Sequence, residues 1–535
     1  MIANSHKYWW CSAVLAISII LILVGGSFTA LLNFSQAELD FRSVLADSYT
    51  QHVISFSLYQ AALSTGLSIG LAIPLARAFS RREFAGKQMI IKLFNLSLVL
   101  PIIIAIFGII AVHGKSGWIN QLLGLFNIET GHYIYGLTGI LIAHLFFNVP
   151  LATRILLQTL DSIPSEYWRL ASQLNLQSRH IFITLEWPKI KQQLPSLISL
   201  IFMLCFTSFA IVMSLGGGPN YATLEVAIYQ ALKFEFDIEQ AVALAVIQVT
   251  ITVALMIFSA IFLKLQPMSA PSGNYFRRPD CHTLSSKIGD AISFLLASCL
   301  LAPPMLAIFS SGINSNTLTV LSDPMLWQAT RLSLQIALSS GLLSLLLACS
   351  ILFSTRILKV RFKLIALSYG IENIGAIILV VPALVLGTGL FLLLRPYVDV
   401  FSIAAWLVIL INALMSLPYL LRVLSQPIQD SFAAYDKLAV SLGLSRLQRL
   451  RIIEWPLLRK PVAMGLGLAS VLSLGDLSVI ALFGSQDMQT LPLVLYRQLD
   501  SYQLDAAAVT AIFLLTLCGV IFYLFERIIG GKNAE

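Results

Sequence analysis

The sequence predicts an all-α integral membrane protein with about 12 transmembrane helices in two parallel six-helix repeats. Three observations support this fold class. Hydrophobic residues make up 58% of the 535 residues and charged residues only 11%, whereas soluble domains carry about 25% charged residues. Many apolar runs reach the roughly 20 residues that cross a bilayer. Finally, one polar segment occurs twice, 268 positions apart.

The apolar segments place the predicted spans in order along the chain. We expect membrane helices at 10–32, 54–79, 89–113, 134–158, 195–215, 241–265, 286–311, 327–354, 366–394, 402–425, 461–483 and 506–529. The first segment follows Lys7 and resembles a signal peptide. It is too long and too continuously apolar for one, so we expect an uncleaved anchor.

The basic residues predict the orientation of these spans. The formal net charge is +8, and we assign the N-terminus to the cytoplasm. Six of the 34 Lys and Arg residues then lie outside: Arg42, Lys115, Lys233, Arg331, Arg395 and Arg497. The positive-inside rule therefore predicts cytoplasmic N- and C-termini. It also places both copies of the polar segment in the cytoplasm.

The repeat defines the predicted domains. "ASQLNLQSRHIFITLEWPKI" begins at Ala171 and "AVSLGLSRLQRLRIIEWPLL" at Ala439. Each half holds about six spans, and repeats with an even number of spans must be parallel. We predict an N-terminal helix with an outer loop at 1–52, a first transmembrane domain at 53–266, a cytoplasmic linker at 267–285, a leading helix of the second half at 286–326, and a second transmembrane domain at 327–530.

Each copy of the polar segment is predicted to form a helical hairpin. Asn175 and Gly443 occupy the turn, and both residue types enter the left-handed region at low cost. Ser178 and Ser445 can cap the second helix, which Pro188 and Pro456 are expected to end; these four lie at matching places in the two copies. The result would be a short amphipathic helix at the inner face of the membrane.

Two interpretations of these hairpins are open. Basic amphipathic helices can rest on anionic lipid headgroups. A pair of identical cytoplasmic partners, however, would require the same turn, helix and Glu-Trp-Pro in both halves. The duplication therefore favours docking.

The hairpins resemble the Glu-Ala-Ala loop of permeases from binding-protein-dependent ABC importers. The thirteen-residue spacing from glycine to proline is kept between Gly443 and Pro456, and between Asn175 and Pro188. The leading Glu is replaced by Arg169 in the first copy and by lysine in the second. Stretches such as "HLFFNVPLATRILLQTL" and "LSLGDLSVIALFG" extend the likeness over essentially the whole chain. It is greatest with the fused permeases of thiamine importers, and ferric-iron importer permeases share the layout.

This resemblance implies the type I ABC importer permease fold and a place in the bacterial inner membrane. It implies import of thiamine and thiamine phosphates, with two copies of a cytoplasmic ABC ATPase, a periplasmic thiamine-binding protein and membrane lipid as partners. We expect no nucleic acid, no enzymatic activity and no cofactor, since ATP would be bound by the partner. The alternatives are a ferric-iron permease of the same group and a secondary transporter of 12 helices.

The predicted site residues follow from the hairpins and from one acid. The coupling residues are Ala171, Leu174, Asn175, Phe182, Glu186, Pro188, Ala439, Leu442, Gly443, Leu450, Glu454 and Pro456. Asp476 lies in an apolar segment, where an ionisable group is functional by default. Ser208 is its counterpart in the first half, and the two are predicted to line the substrate pathway. The alternative for Asp476 is helix packing through the hydroxyls of Ser473 or Ser478.

Other functional classes find little support in the sequence. The stretch most like a phosphate-binding loop, "GIIAVHGKSG", has five residues between its first two glycines where four are required. Histidines are scattered without metal-binding spacing, so we predict no catalytic and no metal residues. A secondary transporter would need ionisable residues distributed through its spans, and this chain has few.

Overall fold

The computed structural model describes residues 11–38, 41–84, 86–126, 133–262, 278–281, 283–376, 378, 381–485 and 488–531. Helices dominate these residues. The first half contains α1 (Cys11–Glu38), α2 (Phe41–Ala46), α3 (Ser48–Arg81), α4 (Lys87–Val99), α5 (Ile102–His113), α6 (Trp118–Gly124), α7 (Leu137–Asp161), α8 (Ser165–Gln173), α9 (Ser178–Ile181), α10 (Trp187–Phe206), α11 (Phe209–Leu215), α12 (Leu224–Gln230) and α13 (Ile238–Phe262).

The second half repeats most of these helices in the same order. They are α14 (Leu284–Ser311), α15 (Thr317–Ser322), α16 (Pro324–Val360), α17 (Ile365–Ala376), α18 (Ala383–Leu394), α19 (Ala404–Ser441), α20 (Arg446–Arg449), α21 (Trp455–Leu474), α22 (Ser478–Phe483), α23 (Leu491–Asp500) and α24 (Leu504–Ile528). Short π-helical turns join α9 to α10 and α20 to α21. The predicted all-α repeat is confirmed.

Ten helices among the described residues are long and apolar enough to cross a membrane, and the count is eleven if the bent pair Ser178–Phe206 and Phe209–Leu215 forms one span. The sequence predicts about 12 spans, and two of them are not continuous. The predicted span 89–113 divides into α4 and α5, and 366–394 divides into α17 and α18. Proline is the N-cap of the second helix in each case, Pro101 before α5 and Pro382 before α18. Proline has no N–H and disfavours helical geometry at the preceding residue, so each span breaks there.

The described helices form two compact units. The first-half unit comprises residues 45–227 and 250–314, and the second-half unit comprises 1–44, 228–249 and 315–535. Within the first-half unit α14 packs on α3 and α5, and within the second-half unit α1 packs on α16 and α18. Each unit therefore includes the leading helix of the other half of the sequence. The domain boundaries drawn above in chain order stay a prediction.

Equivalent helices form the core of each unit. In the first-half unit α3 packs against α7 and α10, and in the second-half unit α16 packs against α19 and α21. The buried face of α3 carries small and polar residues at helical spacing, namely Ser57, Gln60, Ser64 and Ser68. Small side chains allow neighbouring helices to approach closely, which supplies packing energy where lipid removes the hydrophobic driving force between helices.

Two glycines allow the leading helices α1 and α14 to pack closely against their units. A Cβ on Gly108 of α5 would lie 2.5 Å from the carbonyl oxygen of Pro304 in α14. A Cβ on Gly389 of α18 would lie 2.7 Å from both the Cβ and the carbonyl oxygen of Ser27 in α1. The Ser27 hydroxyl also donates to the Leu386 carbonyl, at 3.3 Å. The close approach of α1 and α14 thus depends on the absence of a side chain at these two positions.

We expect Gly389→Ala to destabilise the second-half unit by about 1–3 kcal/mol, the usual cost of overpacking a tight contact. Gly25→Ala is the matched control, because no atom lies within 4 Å of its added Cβ. The measurement is the midpoint of thermal unfolding in detergent, followed by size-exclusion chromatography. Equal midpoints for the two variants would show that α1 does not pack tightly at Gly389.

Candidate functional site

Each half of the chain carries one helical hairpin. The first hairpin spans residues 165–188 and contains α8, α9 and a π-helical turn at Phe182–Glu186. The second hairpin spans residues 433–456 and contains the end of α19, α20 and a π-helical turn at Leu450–Glu454. Each hairpin belongs to its own unit. In the first copy Pro164 separates α8 from α7, whereas α19 runs without a break, because the second copy has phenylalanine there.

The turn of each hairpin contains a left-handed residue. The backbone φ is 50° at Asn175 and 62° at Gly443. The next residue donates its N–H to the carbonyl of Ala171 in the first copy and of Ala439 in the second, at 3.0 Å in both. This bond closes the helix end in the Schellman pattern. The predicted left-handed joint is confirmed, and it explains why Asn can stand where the other copy has Gly.

An exposed apolar stripe lies on the same face of both hairpins. Its members are Tyr167, Leu170 and Leu174 in the first copy and Tyr435, Leu438 and Leu442 in the second. Leu174 is 61% exposed and Leu442 63%, whereas Ala171 and Ala439 are 1% and 2% exposed. The alanines therefore pack the helix against the rest of the unit, while the leucines and tyrosines form an exposed apolar surface.

The prolines of Glu-Trp-Pro do not end a helix, so that prediction is wrong. Pro188 is the second residue of α10 and Pro456 the second of α21, and both helices continue directly from the π-helical turns. The N–H of the residue before each proline bonds five residues back, to the carbonyl of Phe182 or of Leu450. A π-turn re-aims its carbonyls, and a proline that would collide with the carbonyl four residues earlier in an α-helix is accommodated.

The predicted caps differ between the copies. Ser445 precedes α20, and its hydroxyl accepts the N–H of Gln448 at 3.4 Å while its own N–H donates to the Gln448 side chain at 2.9 Å. Ser178 is already the first residue of α9, and its hydroxyl bonds Asp280 at 3.3 Å instead. The prediction of a Ser178 cap is wrong because Gln177 occupies the N-cap position.

Glu186 is fully buried in a cluster of arginines in the first-half unit. Its carboxylate pairs with Arg77 Nε at 2.6 Å and with the Arg278 guanidinium. Arg77 comes from α3, and its guanidinium lies 4.4 Å above the Phe182 ring. Phe182, a predicted coupling residue, thus covers this ion pair on one side. A buried carboxylate is stable only when cations compensate it, so these ion pairs anchor the hairpin at Glu186.

Glu454 has the same place in the second-half unit. It pairs with Arg356 of α16 at 2.9 Å and with Arg449 of α20 at 2.7 Å. Arg449 also bonds Asp436 at 2.6 Å, and Arg361 bonds the same carboxylate at 2.7 Å. Leu450, the counterpart of Phe182, is exposed. Both hairpins are therefore held to the end of a long core helix by one buried Glu and its arginines.

Asp476 lies at a break between α21 and α22. Its two carboxylate oxygens accept the backbone N–H groups of Ser478 and Val479, each at 3.2 Å. It lines a small cavity, with room for about one water molecule, together with Asn412, Ser473 and Thr490. Thr490 Oγ1 is buried and has no hydrogen-bond partner among the described residues. Among the residues that the structure describes, none forms a salt bridge with Asp476.

Ser208 occupies the equivalent break in the first-half unit. It is the N-cap of α11, where its side chain makes no capping hydrogen bond. The structure thus places Ser208 and Asp476 at matching positions in their separate units, and only the second-half unit has a carboxylate there.

Sequence reasoning missed a second set of matching polar residues. In the first-half unit Ser64 Oγ lies 2.8 Å from His144 Nδ1, and Asn148 donates to Cys205 Sγ at 3.1 Å. In the second-half unit Ser340 donates to Ser473 at 2.7 Å, and Asn412 donates to Ser473 at 3.0 Å. The matched positions are Ser64 with Ser340, His144 with Asn412 and Cys205 with Ser473. The constant offset of 268 could have found the last two pairs, whereas Ser64 and Ser340 are 276 positions apart and are matched by the similar stretches that begin at Ser57 and Ser333.

Comparison with known proteins agrees with this architecture. Residues 62–266 and 357–533 match the family described as the binding-protein-dependent transport system inner membrane component. The thiamine transport system permease protein ThiP of Escherichia coli (strain K12) is 42% identical over 530 residues, which is 98% of both chains. ThiP of Salmonella typhimurium (strain LT2) is 43% identical over 98% of this chain and 96% of its own length. ThiP of Haemophilus influenzae (strain Rd) is 43% identical over 96% and 95%.

The family match falls once in each half of the sequence, as the repeat predicts, and the similarity to these permeases spans nearly the whole chain. The predicted resemblance is confirmed. The chain is a multi-pass inner membrane transport subunit, and it belongs to the family of binding-protein-dependent transport system inner membrane components, in the group of fused permeases that includes these ThiP proteins.

Proposed function

We propose that this chain is the membrane-spanning permease of an ATP-driven importer that moves thiamine and thiamine phosphates into the cytoplasm. The observation that carries the importer role is the pair of matching hairpins with exposed apolar stripes. The thiamine assignment rests on the names of the relatives that share 42–43% identity over almost the full chain.

The two hairpins are the proposed docking sites for two copies of a separate cytoplasmic ABC ATPase. Repeated, equivalent surfaces suit a symmetric pair of partners. Each stripe offers two leucines and a tyrosine on a helix held by buried ion pairs. Packed apolar contacts transmit force better than exposed ion pairs, which contribute about 0–1 kcal/mol each and weaken with salt. The distribution of Lys and Arg supports a cytoplasmic position for the hairpins and both termini.

Transport would proceed by alternating access. A periplasmic thiamine-binding protein delivers the cargo, and ATP binding closes the ATPase subunits. The docked hairpins move with them and open the membrane part outward, and hydrolysis returns it to the inward-facing state. In this scheme the partner subunit binds and hydrolyses ATP.

Asp476 is the proposed contact for the positive charge of thiamine. A carboxylate in an apolar segment is costly unless a cation compensates it. The described residues supply no ion-pair partner for Asp476. The neighbouring Thr490 hydroxyl and Asn412 amide offer hydrogen bonds in the same cavity. Ser208 would line the pathway in the first half without a charge.

The test is ATP-dependent uptake of labelled thiamine by liposomes that contain this chain, its ATPase and its binding protein. Uptake that requires all three components and ATP would support the proposal. Accumulation of ferric iron without thiamine would instead assign the chain to an iron importer of the same group. Uptake driven by an ion gradient without ATP would assign it to secondary transport.

Gly443→Val should uncouple ATP hydrolysis from uptake. A β-branched residue in the left-handed region costs about 1–2 kcal/mol or more in backbone strain, and nothing lies within 4 Å of the new Cβ, so the effect is conformational. Gly443→Asn is the matched control, because Asn175 already adopts this geometry in the first hairpin. The measurement is thiamine taken up per ATP hydrolysed. If the Val and Asn variants gave the same ratio as the unmodified chain, the left-handed joint would have no part in coupling.

Asp476→Asn should reduce thiamine uptake while the complex with the ATPase still assembles. Loss of a hydrogen bond to a charged group costs about 1.5–3 kcal/mol, or roughly 10- to 100-fold in affinity. Asn has one carbonyl oxygen, so the variant keeps one acceptor for the N–H groups of Ser478 and Val479 and loses the other together with the charge. Uptake is measured against thiamine concentration, with detergent-solubilised assembly as the control. Full uptake by this variant would show that the charge of Asp476 has no part in transport.

A further inference from the structure

Residues 278–281, the end of the segment that joins the two halves, lie against the first hairpin. The Arg278 side chain is only 4% exposed. Its guanidinium pairs with Glu186 of the hairpin and with Asp280, the latter at 3.1 Å. It also lies 4.3 Å above the ring of Trp168 in α8. One side chain from the linker therefore contacts both arms of the hairpin.

The same four residues are held to the end of α3 and the start of α14. Arg278 donates to the Ser80 hydroxyl at 3.1 Å, and Asp280 lies 3.5 Å from Arg81 Nε. Arg82 donates to the Cys281 carbonyl and pairs with Asp290 of α14 at 2.6 Å. Linker, core helix and hairpin thus form one network within the first-half unit.

Asp280 remains ionised in this network at neutral pH. Burial raises the pKa of Asp280, but the charge and hydrogen bonds of Arg278 and the charge of Arg81 outweigh it, and the pKa lies below its ordinary value of 3.8. A lowered folded-state pKa contributes stability above pH 3.8, and that contribution is lost only as the pH falls through the lower value.

The second hairpin needs no such help from a linker. Glu454 pairs with Arg356 of α16 and with Arg449 of the hairpin's own helix α20. The position of Arg449 in the first hairpin is taken by Ile181, which is fully buried and carries no charge. The first hairpin therefore lacks the cation that its twin supplies internally, and Arg278 fills that role from outside the hairpin.

We infer that Arg278 is a positioning residue for coupling, which locks the first hairpin to the end of α3 and replaces the arginine that this copy of the repeat lacks. The inference rests on the proposed docking role of the hairpins. Without Arg278, the buried Glu186 keeps Arg77 as its one ion-pair partner among the described residues. A buried charge that loses part of its compensation is destabilised strongly, so the hairpin should shift or loosen on its seat.

The experiment compares Arg278→Gln, the double variant Ile181→Arg with Arg278→Gln, and the unmodified chain in liposomes with the ATPase and the binding protein. Two ratios are measured: thiamine taken up per ATP hydrolysed, and ATPase activity with binding protein relative to activity without it. We expect Arg278→Gln to lower both on the order of tenfold, the range for losing a coupling contact between two sites. The double variant rebuilds the arrangement of the second hairpin and should restore them.

Assembly with the ATPase, measured by co-purification, separates positioning from a general folding defect. Unchanged ratios in Arg278→Gln, or a double variant that assembles but stays uncoupled, would overturn the inference. If Arg278→Gln fails to assemble, the double variant decides alone: coupled transport supports the inference, and failure to assemble or to couple contradicts it. Absence of thiamine uptake by the unmodified chain would count against the proposed cargo only, because stimulation of the ATPase by the binding protein still reports on Arg278.

Discussion

Two buried carboxylates, Glu186 and Glu454, determine how the hairpins are held. A carboxylate removed from water is tolerated only with cations and hydrogen bonds around it. Arg77 reaches Glu186 from the end of α3, and Arg356 reaches Glu454 from α16. Each hairpin is thereby tied to a long helix of the core of its unit, so a force applied to its exposed stripe is passed to that helix rather than absorbed by a flexible loop.

Breaks in the spanning helices depend on backbone hydrogen bonding rather than on charge compensation. Backbone groups in lipid need partners, so helices break only where another group satisfies the freed donors. At Asp476 the side chain accepts two backbone N–H groups of α22. At Pro101 and Pro382 the residue at the break has no N–H to satisfy. These breaks recur at equivalent places in both halves, so the interruption is a property of the repeat.

The sequence predicted features that depend on one residue or on a constant spacing. Asn175 and Gly443 specify a left-handed turn locally, and the offset of 268 defines the repeat. Burial of Glu186 could not be predicted in this way, because its cations lie far along the chain at Arg77 and Arg278. The role of Pro188 was misjudged because a π-turn, with no composition signal of its own, accommodates it. Helical spacing could predict the exposed stripes at Leu174 and Leu442. The burial of the neighbouring alanines depends on tertiary packing, which the spacing does not encode.

How far two equivalent positions can differ between the halves depends on the physical role of the residue. A conformational role accepts only residues of like backbone freedom, as with Asn175 and Gly443. A charge-pairing role can move to another segment, provided that the cation reaches the same carboxylate, as Arg278 does. In the proposed function only one half can carry an acid at the position of Asp476. Each uncompensated acid in an apolar segment is costly, and a cargo with one positive charge compensates a single carboxylate. Two identical subunits would necessarily carry two such acids. Fusing the halves into one chain permits an acid in one half and Ser208 in the other.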